Sequence, residues 1–392
     1  MANLLEKASI VLTPTGYSED AIHNVKPSSE PFGDMTFIQN GTTTRIDENG
    51  LVVDNVDDVP RIDYSKGSGA ILSEISTVNQ LRYSEDLTQN SVWSIAGVFT
   101  SPVTMTDPRG NTSSVSNIFR YSSASNAGTF QLAASASTGQ GVGLSAWVYN
   151  PDGGTQQVWI GYGDVGSGNG SFHSVTNSWQ RIEYTTTGGT FSEFHIAPAL
   201  SSNLRVWGCQ FEIGLVTNGT GRITSYIPTT SGSVTRTRDN YKDGGDTSLI
   251  GAQEGVFYVE VAAIANQTGR TRGIALSASN SAANRVVIFL GSASNTITGW
   301  IQASSLVQTI NSTVTDQTAF NKIALKYKSG DISLWINGTE AATSTSTFTF
   351  NAALSELAFD QGNGSQHMDG LVKSVVVFKE VLSDAELAAL TS

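Results

Sequence analysis

"LRVWGCQFEIG", Leu204–Gly214, decides how this chain folds. Apolar side chains recur at every second position, and in an extended strand successive side chains point to opposite faces. Trp207, Cys209, Phe211 and Ile213 are therefore expected to share one face, the core. Gly208, Gln210 and Glu212 are expected to share the other, turned to solvent or to an interface. The same alternation recurs upstream in "LSAWVYN", "QQVWIGYG" and "SWQRIEYTT", separated by the turn clusters "PDGG" and "GSGNG". Strands at such regular short spacing predict an antiparallel β-sandwich over residues 86–235.

The pattern returns over residues 240–392 in "GVFYVEVAAI", "RVVIFLG", "FNKIALKYKSGDISLWINGTEAA" and "LVKSVVVF", and predicts a second sandwich. "KSGD", Lys328–Asp331, reads as a hairpin turn. In "VLSDAELAALTS", Ser383 followed by Glu386 forms a capping-box signature, and Leu382, Leu387 and Leu390 make an apolar stripe, so a short helix is expected. Between the two blocks lies "TSYIPTTSGSVTRTRD", Thr224–Asp239. Pro228 has no amide donor and the hydroxyl-rich tail favours extended geometry. This segment is expected to finish one sandwich as an edge strand and run to the next, with "DNYKDGGD", Asp239–Asp246, as a flexible joint.

Residues 1–85 differ. They carry Pro14, Pro27, Pro31 and Pro60, the acidic run "IDENGLVVDNVDDVPRIDY", and an Asn49–Gly50 pair between short apolar runs, a hairpin signal. Their apolar content is low for an independent core. The segment is expected to be extended, with small hairpins, and stabilised by packing on partner chains; a small β-domain of its own is the alternative. The expected fold class is mainly β: an extended N-terminal anchor (1–85), two tandem antiparallel β-sandwiches or jelly rolls (86–235 and 240–392), and one short C-terminal helix.

Composition narrows the function classes. The 392 residues are 39% hydrophobic and 14% charged, which excludes wholesale disorder. A net charge of −12 with no basic run argues against nucleic-acid binding. Cys209 is the only cysteine, so no intrachain disulfide forms. The N-terminus has Glu6 before its apolar run and no basic region, so it does not read as a signal peptide. No stretch approaches the about 20 apolar residues of a membrane span, so no membrane insertion is expected.

The motifs of catalysis do not assemble. His23, His173, His195 and His367 are scattered without metal-site spacing, and there is no G-x-S-x-G elbow. A glycosidase needs two carboxylates about 5–9.5 Å apart, and no local acidic signature announces such a pair. The chain is therefore expected not to be an enzyme. Sugar binding needs flat aromatic faces; Trp159 and Tyr162 in "QQVWIGYGD" and Trp300 in "TITGWIQ" are the candidates, against packing as the default use of an aromatic in a strand. A structural Ca²⁺ takes about 6–8 oxygen ligands. Three acidic groups could supply some: Glu85 with Asp86, Asp239 with Asp243 and Asp246, and Asp360 with Asn363 and Asp369. Acidic turn residues more commonly serve as solvated turns.

The third region resembles laminin-G or concanavalin-A-like jelly rolls, through "ISLWINGTEAA" and "MDGLVKSVVVFKEVLSDAELAAL". The second is similar to carbohydrate-binding-module jelly rolls, through "SAWVYN", "SWQRIEYT" and "VWGCQFEIG". The combination of "VWGCQFEIG" with "TSYIPTTSGSVTRTRD" resembles a junction of bacteriophage tail- and head-fibre proteins. The leading "LLEKASIVLTPTGYSEDAIHNVKPSSEPFGDMTF", "TRIDENGLV" and "VPRIDY" look like the start of such virion proteins, from which "GAILSEISTVNQLRYSED" departs. These resemblances imply a structural virion protein, a head- or tail-fibre appendage assembled in the host cytoplasm. Its residues 1–85 would bind other capsid or tail proteins, and its sandwiches would face host-surface polysaccharide. The class further implies a homo-oligomer such as a trimer, although no coiled-coil heptad is present. The alternative is a free or secreted carbohydrate-binding protein, or a polysaccharide hydrolase with binding modules.

Overall fold

The computed structural model describes residues 4–26, 34–132, 140–187, 193–214, 221–266, 272–291 and 293–392. Pro27 and Pro31 lie outside the described residues. The rest is mainly strand, with two short helices, Leu4–Lys7 and Asp384–Thr391, among the described residues. The chain forms two units, one of residues 1–40, 56–75 and 237–392, the other of residues 41–55 and 76–236. It passes from one unit to the other four times. The leading segment therefore does not stand apart as expected; its pieces are built into both units.

The unit holding the chain's end is a sandwich of an eleven-stranded sheet and a five-stranded sheet. Between them lie Phe257, Val259, Ile274, Val286, Ile288, Ile301, Ile323 and Leu325, all in one apolar core. The closing strand Gly370–Phe378 is the pivot of the larger sheet. One of its edges pairs with Gly255–Ala263. The other is covered from the far end of the chain: Ile10, Val11 and Leu12 pair with Val377, Val376 and Val375, and Ile71–Ser73 pairs with Gly370–Val372. An uncovered edge of this apolar strand would be a template for pairing with another chain. Ile10, Leu12, Ile22, Met35 and Phe37 are fully buried in the shared core. They complete a core rather than found one, which is why they looked too few.

The same unit has a buried ion cluster. Arg61 donates from Nη1 to Glu74 Oε2 at 2.8 Å and from Nη2 to Asp239 Oδ2, and the Glu74 amide donates to Asp239 Oδ2 at 2.8 Å. Burial opposes the guanidinium charge, but Asp239 and Glu74 outweigh it and hold Arg61 above the usual arginine range. Asp239 is thus a buried anchor, and Asn240–Lys242 is a strand paired with Met35–Ile38. The expected flexible joint is ordered at this end. The final helix is as expected: the Ser383 amide donates to Glu386 Oε2 at 3.0 Å, and Leu387 is buried. The Lys328–Asp331 turn also forms, with Gly330 at φ 81° and the Asp331 amide on the Lys328 carbonyl.

The other unit pairs two five-stranded sheets. One runs in the order Val98–Thr106, Thr112–Arg120, Asn203–Ile213, Gly141–Tyr149, Gln180–Thr187; the second is Gly170–Val175, Gln156–Gly161, Glu193–Ala197, Gly128–Leu132, Ser94–Ala96. The Asn49–Gly50 hairpin belongs here, joining Thr43–Ile46 to Val52–Asn55.

The decisive stretch is a strand, but its faces are not those that strict alternation gives. Leu204, Val206, Cys209 and Phe211 face the sandwich core, whereas Trp207 lies on the outer side with Trp147 and Tyr226. The register slips between Ser145↔Gln210 and Trp147↔Trp207. Gly208, at φ 64°, is the extra residue. One bulge flips every side chain beyond it. The polar side chains it turns outward hold the segment that begins at Thr224. Thr224 donates from its amide and hydroxyl to Glu212 at 2.9 and 2.7 Å, and the Ile227 amide donates to Gln210 Oε1 at 2.7 Å. Val234–Arg236 then pairs with Thr77–Asn79. Burial pushes the Cys209 thiol well above its usual range.

Two measurements test these readings. Arg61→Met leaves Glu74 and Asp239 buried without their cation and is expected to cost roughly 3–5 kcal/mol in urea denaturation; an unchanged midpoint would contradict the cluster's role. At Gly208 an added Cβ would sit 2.9 Å from the Trp147 ring. Together with the positive φ, Gly208→Ala is expected to destabilise by more than about 1 kcal/mol, read the same way.

Candidate functional site

The outer face of the five-stranded sheet in the first unit presents three rows of side chains set by strand register. In the middle row Val287 stands opposite Trp300, and Trp300 opposite Thr309, with Ala275 beyond Val287. On one side runs Glu356, Ser277, Arg285, Gln302, Val307. On the other, Phe289 faces Thr298 and Thr298 faces Asn311. Trp300 is half-buried, its ring edge-on to Phe289 at 6.0 Å and 89°. Its indole N–H has no acceptor among the described residues.

The polar rows are ordered. Arg285 donates from Nε and Nη2 to Gln302 Oε1 at 3.1 and 2.8 Å, and from Nη1 to the Gln361 carbonyl at 2.8 Å. Burial lowers its pKa against the attraction of Asp360. Thr298 Oγ1 donates to Asn311 Oδ1 at 2.7 Å. The loop after Asp360 lies against the Ala275 and Ser277 end of this face. Gly362, at φ 82°, would put a Cβ 2.8 Å from that of Ser277, so only glycine fits the approach.

At one corner of the face is a cleft of about 360 Å³ lined by Asp243, Gly245, Ser279, Asn280, Ser355 and Glu356. Asp243, Ser279 and Asn280 all have left-handed backbone, at φ 61°, 49° and 57°. Such strain in non-glycine residues collects at functional sites. The Asp243 amide donates to Glu356 Oε1 at 3.4 Å. Burial, and then the charges of Asp243 and Asp360, push the Glu356 carboxyl above its usual range.

Of the three aromatics expected from sequence, only Trp300 keeps a partly open ring. Trp159 is 2% and Tyr162 3% exposed, so neither offers a face to a sugar. Trp159 is capped by Phe172, its register partner, with ring centroids 5.1 Å apart. Tyr162 turns into the core.

The acidic groups proposed for calcium do not converge; among the described residues no three His, Cys, Asp or Glu side chains are grouped to hold a metal. Glu85 binds Arg109 Nη2 at 3.2 Å and the Tyr226 hydroxyl at 3.1 Å. Asp86 accepts from the Thr88 amide and from Gln89, and Asp246 from the Ser248 and Leu249 amides, each as a local turn cap. Asp239 holds Arg61. Asp360 caps the Gly362 amide, Asn363 accepts from Ser365, and Asp369 is buried. Sequence reasoning missed Arg285, Gln302, Thr298, Asn311 and Glu356. The alternation in "RVVIFLG" and "TITGWIQ" held the signal, but their meeting depends on register.

A raised carboxyl pKa makes stability fall as pH rises. The folded state binds the proton more tightly than the unfolded chain, so stability is highest below the unfolded carboxyl range and declines through the folded value. Glu356→Gln is expected to flatten this decline in stability just above pH 4.5, measured by denaturation across pH; an unaltered profile would contradict the burial of a charged Glu356.

Residues 261–388 match the family model Laminin_G_3, the concanavalin A-like lectin/glucanases superfamily. No curated protein matches the chain. Among solved structures, the chain is similar to the CBM40 module of Ruminococcus gnavus IT-sialidase bound to α2,3 sialyllactose, at 17% identity over 36% of this chain and 84% of that one, with a TM-score of 0.32. It is also similar to domain 4 of the arabinanase AbnA from Geobacillus stearothermophilus in complex with arabinotriose, at 14% identity over 44% and 82%, TM-score 0.33. A third is the heptameric SAP-like pentraxin of Limulus polyphemus, at 12% identity over 36% and 70%, TM-score 0.30. Residues 261–388 thus resemble the concanavalin A-like sandwiches, and the sheet that bears Trp300 lies inside that match.

Proposed function

We propose that the chain is a non-catalytic saccharide-binding protein and that the Trp300 face is its binding surface. One observation carries this: a half-open tryptophan sits between two ordered polar rows on a sheet face. An aromatic ring packs on the C–H side of a sugar, while Gln302 and Asn311, held in place by the buried Arg285 and Thr298, offer donors and acceptors to its hydroxyls. The match of residues 261–388 to a lectin and glucanase superfamily supports the same reading.

The setting we propose is the one the resemblance implies, a head- or tail-fibre protein exposed on a bacteriophage particle and facing host-surface polysaccharide. Attachment through residues 1–85 has lost its physical argument, because their apolar residues are used inside the chain. The setting therefore rests on the likeness of the leading and junction segments, and peptide mass spectrometry of purified particles tests it.

A second reading, hydrolysis of the bound polysaccharide, is favoured by the raised Glu356 carboxyl beside Asp243 in the corner cleft. A carboxyl with a raised pKa beside a second carboxylate is the pairing that glycoside hydrolysis uses. Glycan-array screening and titration of the full chain separate these readings. Saccharide binding that falls at least tenfold in Trp300→Ala, without product release, is the expected result. Binding unchanged in Trp300→Ala would refute the face, and product release abolished in Glu356→Gln would replace the non-catalytic reading with the hydrolytic one.

A further inference from the structure

We infer that the second unit carries its own binding site, for a carboxylate-bearing saccharide, on the open half of its outer sheet face around Arg205. Part of that face is filled by Val52, Val115, Trp147, Trp207 and Tyr226. The rest is not. There Asn117 stands opposite Arg205, and Arg205 opposite Tyr149. In the next row Phe99 stands opposite Phe119, and Phe119 opposite Asn203.

Two observations point to a ligand. The first is an exposed aromatic pair. Phe99 and Tyr121 are 62% and 53% exposed, with ring centroids 4.6 Å apart at a 35° tilt. Trp93, Trp147, Trp159 and Trp207 in the same unit are buried, and the exposed Phe172 lies against Trp159, whereas Phe99 and Tyr121 stack on each other. The second is a cation on the same sheet face, two strands from Phe99 with Phe119 on the strand between. Arg205 donates from Nη1 to Asn117 Oδ1, a neutral acceptor. Asn117 Nδ2 donates to Asn203 Oδ1 at 3.3 Å, and Asn203 donates from its amide and Nδ2 to Asp152 at 2.7 and 3.0 Å. Asp152 is thus held by Asn203; it attracts Arg205 but forms no ion pair with it. Elsewhere in the unit Arg109 meets Asp54 and Glu85, and Arg181 meets Glu183. Arg205 has no described carboxylate within ion-pair distance, while its fork is held in place by Asn117.

A guanidinium fork held in place on the same sheet face as an exposed aromatic pair matches an acidic oligosaccharide laid along that face: the fork takes a carboxylate and the rings take the C–H face of another sugar in the chain. A neutral sugar would use the rings and leave the cation unmatched. This site lies in a different unit from Trp300 and stands or falls independently of it.

The test uses the full chain and a panel of acidic oligosaccharides (oligogalacturonate, oligoguluronate, heparosan fragments and sialyllactose), each with its carboxyl-reduced counterpart. Titration is expected to find at least one acidic member bound, with its reduced form at least tenfold weaker. Arg205→Met and Tyr121→Ala should each weaken that binding at least tenfold. Tyr121, exposed beyond the strand end, serves where Arg205→Met does not fold. Equal binding of acidic and reduced forms, no binding by any member, or full affinity in folded Arg205→Met or Tyr121→Ala would overturn the inference.

Discussion

The closing strand Gly370–Phe378 has two edges, and one of them is covered by strands that begin more than 290 residues earlier. This constraint organises the first unit. With Ile10–Leu12 and Ile71–Ser73 in place, the larger sheet extends past the closing strand and the core reaches Met35 and Phe37. Without them the strand would expose a row of backbone donors and acceptors beside Val372, Val375 and Val377. The sheet that carries Trp300 packs on the opposite side of the same core, so the geometry of the Trp300 face depends on pairings made between distant parts of the chain.

Local features of this fold were legible in the sequence. Alternation gave the strands, Asn49–Gly50 and Lys328–Asp331 gave hairpins, and Ser383 with Glu386 gave the last helix. Those signals are local, and local chemistry decides them. The fate of the leading segment was not legible, because alternation tells a strand which face is apolar and never names its neighbour. Too few apolar residues for a separate core points to a need for partner chains, with a small β-domain as the alternative; distant strands of the same chain meet that need instead. Gly208 is the instructive case: a single left-handed glycine moved Trp207 to the other face and left Cys209 and Phe211 where they were expected.

The Trp300 face shows the same division. Trp300 could be singled out as an ambiguous aromatic, but its partners come from three strands and appear only once the register is fixed. Trp159 looked at least as good by composition, yet its register partner Phe172 covers it. The acidic turns looked like calcium ligands because turn caps and metal ligands are the same residue types; Asp86 and Asp246 cap their own turns and Asp239 neutralises a buried arginine.

Native-state hydrogen exchange tests the central claim most directly, since it reports which strands open together. The account predicts that the amides of Ile10–Leu12 and Val375–Val377 exchange as slowly as those of Gly255–Ala263 and lose protection with them as denaturant is raised. Fast exchange at Ile10–Leu12 while Gly255–Ala263 stays protected would contradict it: the leading strands would then be an attachment to the sandwich rather than part of it.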